Sequence, residues 1–211
     1  MKNILIHGLG QNKESWIATI EKLKSYKIDS QCTNLFELTN EEINYKNIYK
    51  AFSNYCNSFN EKVNLCGLSL GGILAIDYSI EFPERVNSII LIGTPYKIPK
   101  MLFRIQSIVF KCMKENSFIV TGLSKKEFIK LTNSMRNIEI SNKVKSIKCD
   151  TLVLCGEKDE VNMKSSKQLK DNIKQSKFRF IKNAGHEVNK DEPKELANVI
   201  AKFWLEHKNE S

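Results

Sequence analysis

The chain of 211 residues is 41% hydrophobic and 27% charged, the balance of an ordinary globular protein, which excludes wholesale disorder and suits one domain with a full core. No apolar run approaches the ~18 residues of a membrane span; the N-terminal stretch Ile4–Ile6 is too short for a signal-peptide core, so the chain reads as cytoplasmic. The net charge of +9 lies wholly in residues 97–148, which hold twelve Lys and Arg against three acids, and the remainder balances.

The first element is a strand over Asn3–Ile6, followed by a turn with Gly8 and Gly10. A helix follows over Glu14–Ser25, with the apolar stripe Ile17, Ile20 and Leu23, and then a short strand near Asp29–Asn34. Glu41–Phe59 has helical periodicity and acids at its start, where they complement the helix dipole. Lys62–Cys66 reads as a strand, Leu70–Glu81 as a helix ended by Pro83, and Asn87–Ile92 as a buried strand before the turn Gly93-Thr94-Pro95.

Alternation then stops. Residues 97–148 contain amphipathic helical stretches and no buried strand, the pattern of a helical cap inserted into one domain spanning residues 1–211. It resumes with strand Thr151–Cys155, helix Asn162–Ile173, strand Lys177–Ile181 and helix Pro193–Glu206, where Pro193 suits a first helical turn. Strands alternating with helices predict an α/β fold of three layers, a parallel sheet covered on both faces.

Six cysteines (Cys32, Cys56, Cys66, Cys112, Cys149 and Cys155) form no C-x-x-C pair and have no histidine at zinc-ligand spacing. They read as free thiols packed as small hydrophobes in a reducing compartment, and no metal site is expected.

Four segments carry chemistry. Gly67-Leu68-Ser69-Leu70-Gly71-Gly72 follows a strand and opens a helix. A turn that sharp strains the serine and requires small neighbours, so Gly67 and Gly71 form a nucleophile elbow around Ser69. In Ile6-His7-Gly8-Leu9-Gly10 a strand runs into a turn. The backbone N–H of Leu9 there, with that of Leu70, is placed to hold an oxyanion, while His7 reads as structural support for the turn. Asp159 follows the strand Thr151–Cys155 and is preferred to Glu157 and Glu160 as the acid. His186 follows the strand Lys177–Ile181 and is the candidate base; His207 reads as a surface residue. The chain order Ser, Asp, His, each after a separate strand, distinguishes this arrangement from the other familiar orders of serine hydrolases.

These segments, with Trp16 and Leu91-Ile92-Gly93-Thr94-Pro95, resemble the α/β-hydrolase superfamily over nearly the whole chain. The resemblance implies about six parallel strands in the order 2-1-3-4-5-6, with the first two strands of the family missing and an edge left open to pairing or a dimer. His7-Gly8-Leu9-Gly10-Gln11-Asn12, the elbow and a helical cap are also similar to the pimeloyl-carrier-protein methyl ester esterases of biotin synthesis, which carry Trp where Leu9 stands. Those enzymes receive an acidic carrier protein on basic cap residues. A menaquinone-pathway lyase of similar size is a more distant likeness, with Arg where Ile73 stands.

The expected activity is cofactor-free cleavage of a carboxylic ester or thioester through an acyl-enzyme on Ser69, His186 and Asp159. Leu9, Leu68, Met101 and Phe103 are the candidate substrate-binding residues. Two alternatives stand beside a small-molecule ester: an acyl group carried by an acidic carrier protein docked on residues 97–148, and a non-catalytic ligand-binding protein of the same fold. The basic residues accompany no nucleic-acid-binding motif.

Overall fold

Period-two burial along the strands determines how the sheet is covered. The computed structural model describes residues 1–97, 115, 118 and 121–207. Its strands are β1 (Lys2–Ile6), β2 (Gln31–Cys32), β3 (Val63–Leu68), β4 (Val86–Ile92), β5 (Asp150–Gly156) and β6 (Ser176–Ile181). They form one six-stranded sheet in the order β2-β1-β3-β4-β5-β6. Every neighbouring pair is parallel, as the alternation of strands and helices predicts.

The helices are α1 (Ile17–Lys24), α2 (Tyr45–Asn57), α3 (Leu70–Glu81), α4 (Lys125–Ser134), α5 (Glu160–Asn172), α6 (Val188–Asp191) and α7 (Pro193–Glu206). Successive strand residues point to opposite faces. Leu5, Cys66, Ile90 and Leu154 join Leu23 of α1 and Leu196, Ile200 and Trp204 of α7 in one core. Ile6, Leu65, Leu91 and Val153 join Phe52 of α2, Leu74 of α3 and Leu169 of α5 in the other. Burying each such aliphatic side chain stabilises the fold by about 1.5–3 kcal/mol before entropy is counted. The result is a three-layer α/β/α fold.

Local detail departs from the sequence reading in three places. The stretch before α1 is a 3-10 turn, Lys13–Trp16, so the buried stripe starts at Trp16, and Ile17 is 49% exposed. Helix α2 starts later than expected, because Asn44 caps it by accepting from the Asn47 N–H at 3.0 Å. Glu41 and Glu42 therefore lie outside the first turn and pair instead with Lys50 and Lys130. The short α6 was not foreseen; its one turn is too brief to show a period.

Within 97–148 the described residues are helical or irregular, with no strand among them. Ser124 and Glu127 form a capping box that starts α4. The Tyr45 N–H donates to Ser134 Oγ at 2.8 Å, and Asp77 of α3 accepts from both Tyr45 Oη, at 2.6 Å, and Lys143. These bonds fasten the segment after β4 onto α2 and α3. Met101 and Phe103 lie outside the described residues. Among those described, no helix is long and apolar enough to cross a membrane.

Candidate active site

Parallel strands bring their C-terminal ends to one edge of the sheet, and the loops there carry Leu9, Ser69, Asp159 and His186. Ser69 stands between β3 and α3 with φ 52° and ψ −108°, a left-handed conformation that a serine adopts only under strain. Its N–H donates to Ile92 O at 2.9 Å, which ties the turn to the end of β4. The elbow closes because a Cβ on Gly67 would collide with the Gly71 backbone, and one on Gly71 with the carbonyl of Ile6. The serine is half-buried, and its side chain makes no capping bond to α3.

Leu70 is the first residue of α3, so its N–H has no carbonyl partner within the helix. The turn after β1 lies against the elbow: a Cβ on Gly8 would stand 3.6 Å from Ser69 Cβ. Leu9, the next residue of this turn, is half-buried. Leu68 is 1% exposed and packs into the core on the α1 and α7 face.

His7 is fully buried and spends both ring nitrogens on backbone. Nε2 accepts from the Leu35 N–H at 3.0 Å, which leaves the proton on Nδ1, 3.0 Å from Gly8 O. Burial holds its pKa below the usual histidine value, against the Gly8 bond and the charges of Glu14 and Glu37. The ring is therefore a neutral strut beneath the turn, the structural role the sequence suggests.

Asp159 caps α5, and its N–H donates to Gly156 O at 3.0 Å. Its Oδ2 lies 2.8 Å from His186 Nδ1. The carboxylate is 4% exposed and the imidazole 41%, so the acid is shielded while the ring reaches solvent. Burial pushes the Asp159 carboxyl up, but hydrogen bonds from His186 and Asn162 outweigh it and hold the group below its usual value. Glu157 instead accepts from the exposed Asn183 N–H, and Glu160 is exposed, so neither acid competes for the imidazole.

Strand ends and loops hold this pair over β4. The Lys158 N–H donates to Ala184 O at 2.9 Å, stitching the Asp159 loop to the His186 loop. Gly93, at the end of β4 with φ 51°, leaves the space they occupy. Ser69 Oγ makes no hydrogen bond to His186 in the structure. Such bonds commonly close only with substrate present.

Two features escaped the sequence reading. Asn162 donates from Nδ2 to Asp159 Oδ1 at 2.9 Å and to Oδ2 at 3.0 Å. Gln11 and Asn189, 178 positions apart and both buried, exchange amide hydrogen bonds at 3.1 Å in each direction. Gln11 also donates to Glu187 Oε1 at 2.8 Å, and Asn189 to Ser15 O at 3.0 Å. This clamp joins the turn carrying Leu9 to the loop carrying His186. A pair of amides so far apart has no periodic signature, whereas Asn162 lies three residues past Asp159, where a capping partner could be sought.

No family model matches the chain. It is 22% identical over 245 aligned positions to the Bacillus subtilis protein named "Putative 2-succinyl-6-hydroxy-2,4-cyclohexadiene-1-carboxylate synthase", covering 95% of this chain and 89% of that one. Among solved structures, MenH from S. aureus superposes with a TM-score of 0.80 at 19% identity, over 99% of this chain and 95% of its own. A thermophilic esterase from Thermogutta terrifontis does so with a TM-score of 0.79 at 18% identity, over 98% and 90%. The strand order, the all-parallel sheet and these superpositions agree, and the chain has the α/β-hydrolase fold.

Proposed function

We propose that the protein is a serine hydrolase that cleaves a carboxylic ester or thioester through an acyl-enzyme. The observation that carries this reading is the 2.8 Å contact between Asp159 Oδ2 and His186 Nδ1, at the same sheet edge as a strained Ser69. The Nδ1 contact leaves Nε2 as the ring nitrogen free to work as a base.

In this mechanism Ser69 Oγ attacks the acyl carbon as His186 Nε2 takes the hydroxyl proton. Asp159 orients the ring and stabilises the imidazolium. The Leu9 and Leu70 N–H groups hold the tetrahedral oxyanion, each contributing roughly 3–4 kcal/mol by analogy with other oxyanion donors. Collapse expels the alcohol or thiol, which takes its proton from Nε2. Water, deprotonated by Nε2, then attacks the acyl-enzyme, and the carboxylic acid leaves as Ser69 recovers its proton. Leu9, with Met101 and Phe103 in a cap formed by residues 97–148, would contact the acyl group. Unpaired cysteines at 32, 56, 66, 149 and 155 support a reducing, cytoplasmic setting.

A second reading is the synthase-type reaction named for the Bacillus relative, favoured by an alignment across 95% of the chain. Ile73 argues for the esterase reading: it is 1% exposed in the apolar core, at the position where the menaquinone-pathway lyase carries Arg. An acyl group on an acidic carrier remains a substrate variant of the first reading. The +9 excess supports it, although Lys130 and Lys143 are already paired with Glu42 and Asp77 of this chain. The deciding experiment is hydrolysis of p-nitrophenyl esters from acetate to decanoate by wild type and Ser69→Ala. Turnover lost in the variant supports the reading, and a folded wild type inert across the series overturns it for simple esters.

A further inference from the structure

We infer that Asn162 is a positioning residue that acts through Asp159: its side-chain amide grips both carboxylate oxygens and sets how much negative charge they present to His186. The inference builds on the proposed roles of Asp159 and His186.

The geometry is specific. Asn162 Nδ2 lies 2.9 Å from Asp159 Oδ1 and 3.0 Å from Oδ2, so one amide group donates to both oxygens. The same nitrogen stands 3.1 Å from His186 Nδ1, and Oδ2 is therefore shared between an amide donor and the imidazole N–H. The orientation of the amide is fixed by chemistry, because its carbonyl oxygen turned toward a carboxylate would repel it. The Asn162 backbone N–H also donates to Oδ1, at 3.3 Å, as the capping bond of α5. Asp159 is thus held twice by one residue, once through the main chain and once through the side chain.

The two grips do different things. The main-chain bond survives any substitution at 162 except proline and keeps the carboxylate in place. The side-chain amide disperses charge: each hydrogen bond to an ionised carboxylate lowers its basicity and weakens its pull on a neighbouring imidazolium. Removing the amide while keeping the main-chain bond therefore leaves a less satisfied carboxylate facing His186. The imidazolium is then more stable, and the ring titrates at higher pH.

Among the described residues, the other titratable groups near the pair are as follows. From the His186 loop, Glu187 lies close enough to feel the ring, and its charge is engaged by Lys190 at 3.0 Å and by Gln11. From β5, the Cys155 thiol is 3.8 Å from Asp159 O, and burial holds it in its neutral form. Lys167 of α5 acts on Cys155. At the end of β4 the Gly93 backbone stands against both groups and brings no charge.

The test is the titration of His186 by NMR in histidine-labelled full-length protein, for wild type, Asn162→Leu and Asn162→Asp. Leucine keeps the size and the main-chain bond; its midpoint rises by about 0.5 pH units or more. Aspartate adds charge beside the ring and raises the midpoint by about one unit or more. Asn162→Asp also suits the first turn of α5, so it carries the test where the leucine variant does not fold. The acid limb of kcat/KM on a p-nitrophenyl ester moves with the NMR midpoint, whereas a merely structural role would lower activity without moving it. A midpoint within about 0.2 units of wild type in the aspartate variant, or one that falls in either, overturns the inference. The arms separate the two readings: midpoints that rise in a protein inert on esters retain the role of Asn162 and overturn the esterase reading. Unmoved midpoints in an active esterase do the reverse.

Discussion

Gly93 and His186 share one space: a Cβ built on Gly93 would stand 2.9 Å from His186 Nδ1 and 3.1 Å from Asp159 Oδ2. Ser69 follows β3, while Asp159 and His186 follow β5 and β6, so the imidazole has to pass over the end of β4 to reach the serine. A bare backbone there makes the passage possible. We expect Gly93→Ala to lower stability by about 1–2 kcal/mol, because φ 51° is unfavourable for alanine. On the proposed esterase reading, we expect turnover to fall by about ten- to a hundred-fold as the ring is displaced. Urea unfolding and initial rates on one ester check both.

Ser69 presents the opposite bargain, a side chain kept in a conformation that disfavours it. Ser69→Gly relieves the left-handed strain and raises stability by about 1 kcal/mol. We expect it to abolish ester turnover, as Ser69→Ala should, and Asp159→Asn to lower kcat by about a thousand- to ten-thousand-fold. Thermal melts set beside ester hydrolysis read the exchange of stability for activity. A glycine variant less stable than wild type by more than 1 kcal/mol would refute the strain argument.

The Gln11–Asn189 clamp invites a double-mutant cycle. Either amide left alone is a buried group without its partner, so Gln11→Leu and Asn189→Leu each cost about 1–3 kcal/mol. The pair together costs less than their sum, because the apolar pair strands no donor between them. Additive losses in denaturant unfolding would show that the two residues do not act as one unit.

His7 gives the protein a pH dependence unconnected with chemistry at Ser69. Burial lowers its folded pKa below the unfolded value near 6.5. Below pH ~6.5 the unfolded chain therefore binds a proton that the native state refuses, and stability declines as pH falls toward the folded pKa. We expect His7→Gln to be less stable at pH 7.5 through loss of the strut, and to lose less stability between pH 7 and 5 than wild type. Unfolding free energies at four pH values in that range test the slope.

Much of this arrangement was legible in the sequence for a simple reason. Buried parallel strands write themselves as apolar runs, and the Ser69 turn needs glycines at fixed offsets, so sheet order, elbow and Asp159–His186 pairing all had local marks. Helix α2 was misread at its start because charge near a helix end resembles a cap. The actual cap, Asn44, depends on one side-chain bond, and Glu41 was taken by Lys50. Trp16 rather than Ile17 entered the core because a 3-10 turn shifts the register of the stripe. Asn162, Gln11 and Asn189 carry no apolar or glycine signature, and only the folded chain brings their amides to their partners.

The two spent nitrogens of His7 have a practical consequence for chemical modification. His207, read from the sequence as a surface residue, is only 13% exposed and has one nitrogen engaged, Nδ1 at 2.7 Å from Phe203 O. Of the three imidazoles His186 is the most exposed, at 41%, and an imidazole-acylating reagent at neutral pH is expected to reach it first. The fast phase of labelling can then be read as occupancy of that ring, and its protection by a bound ligand as a titration of the site.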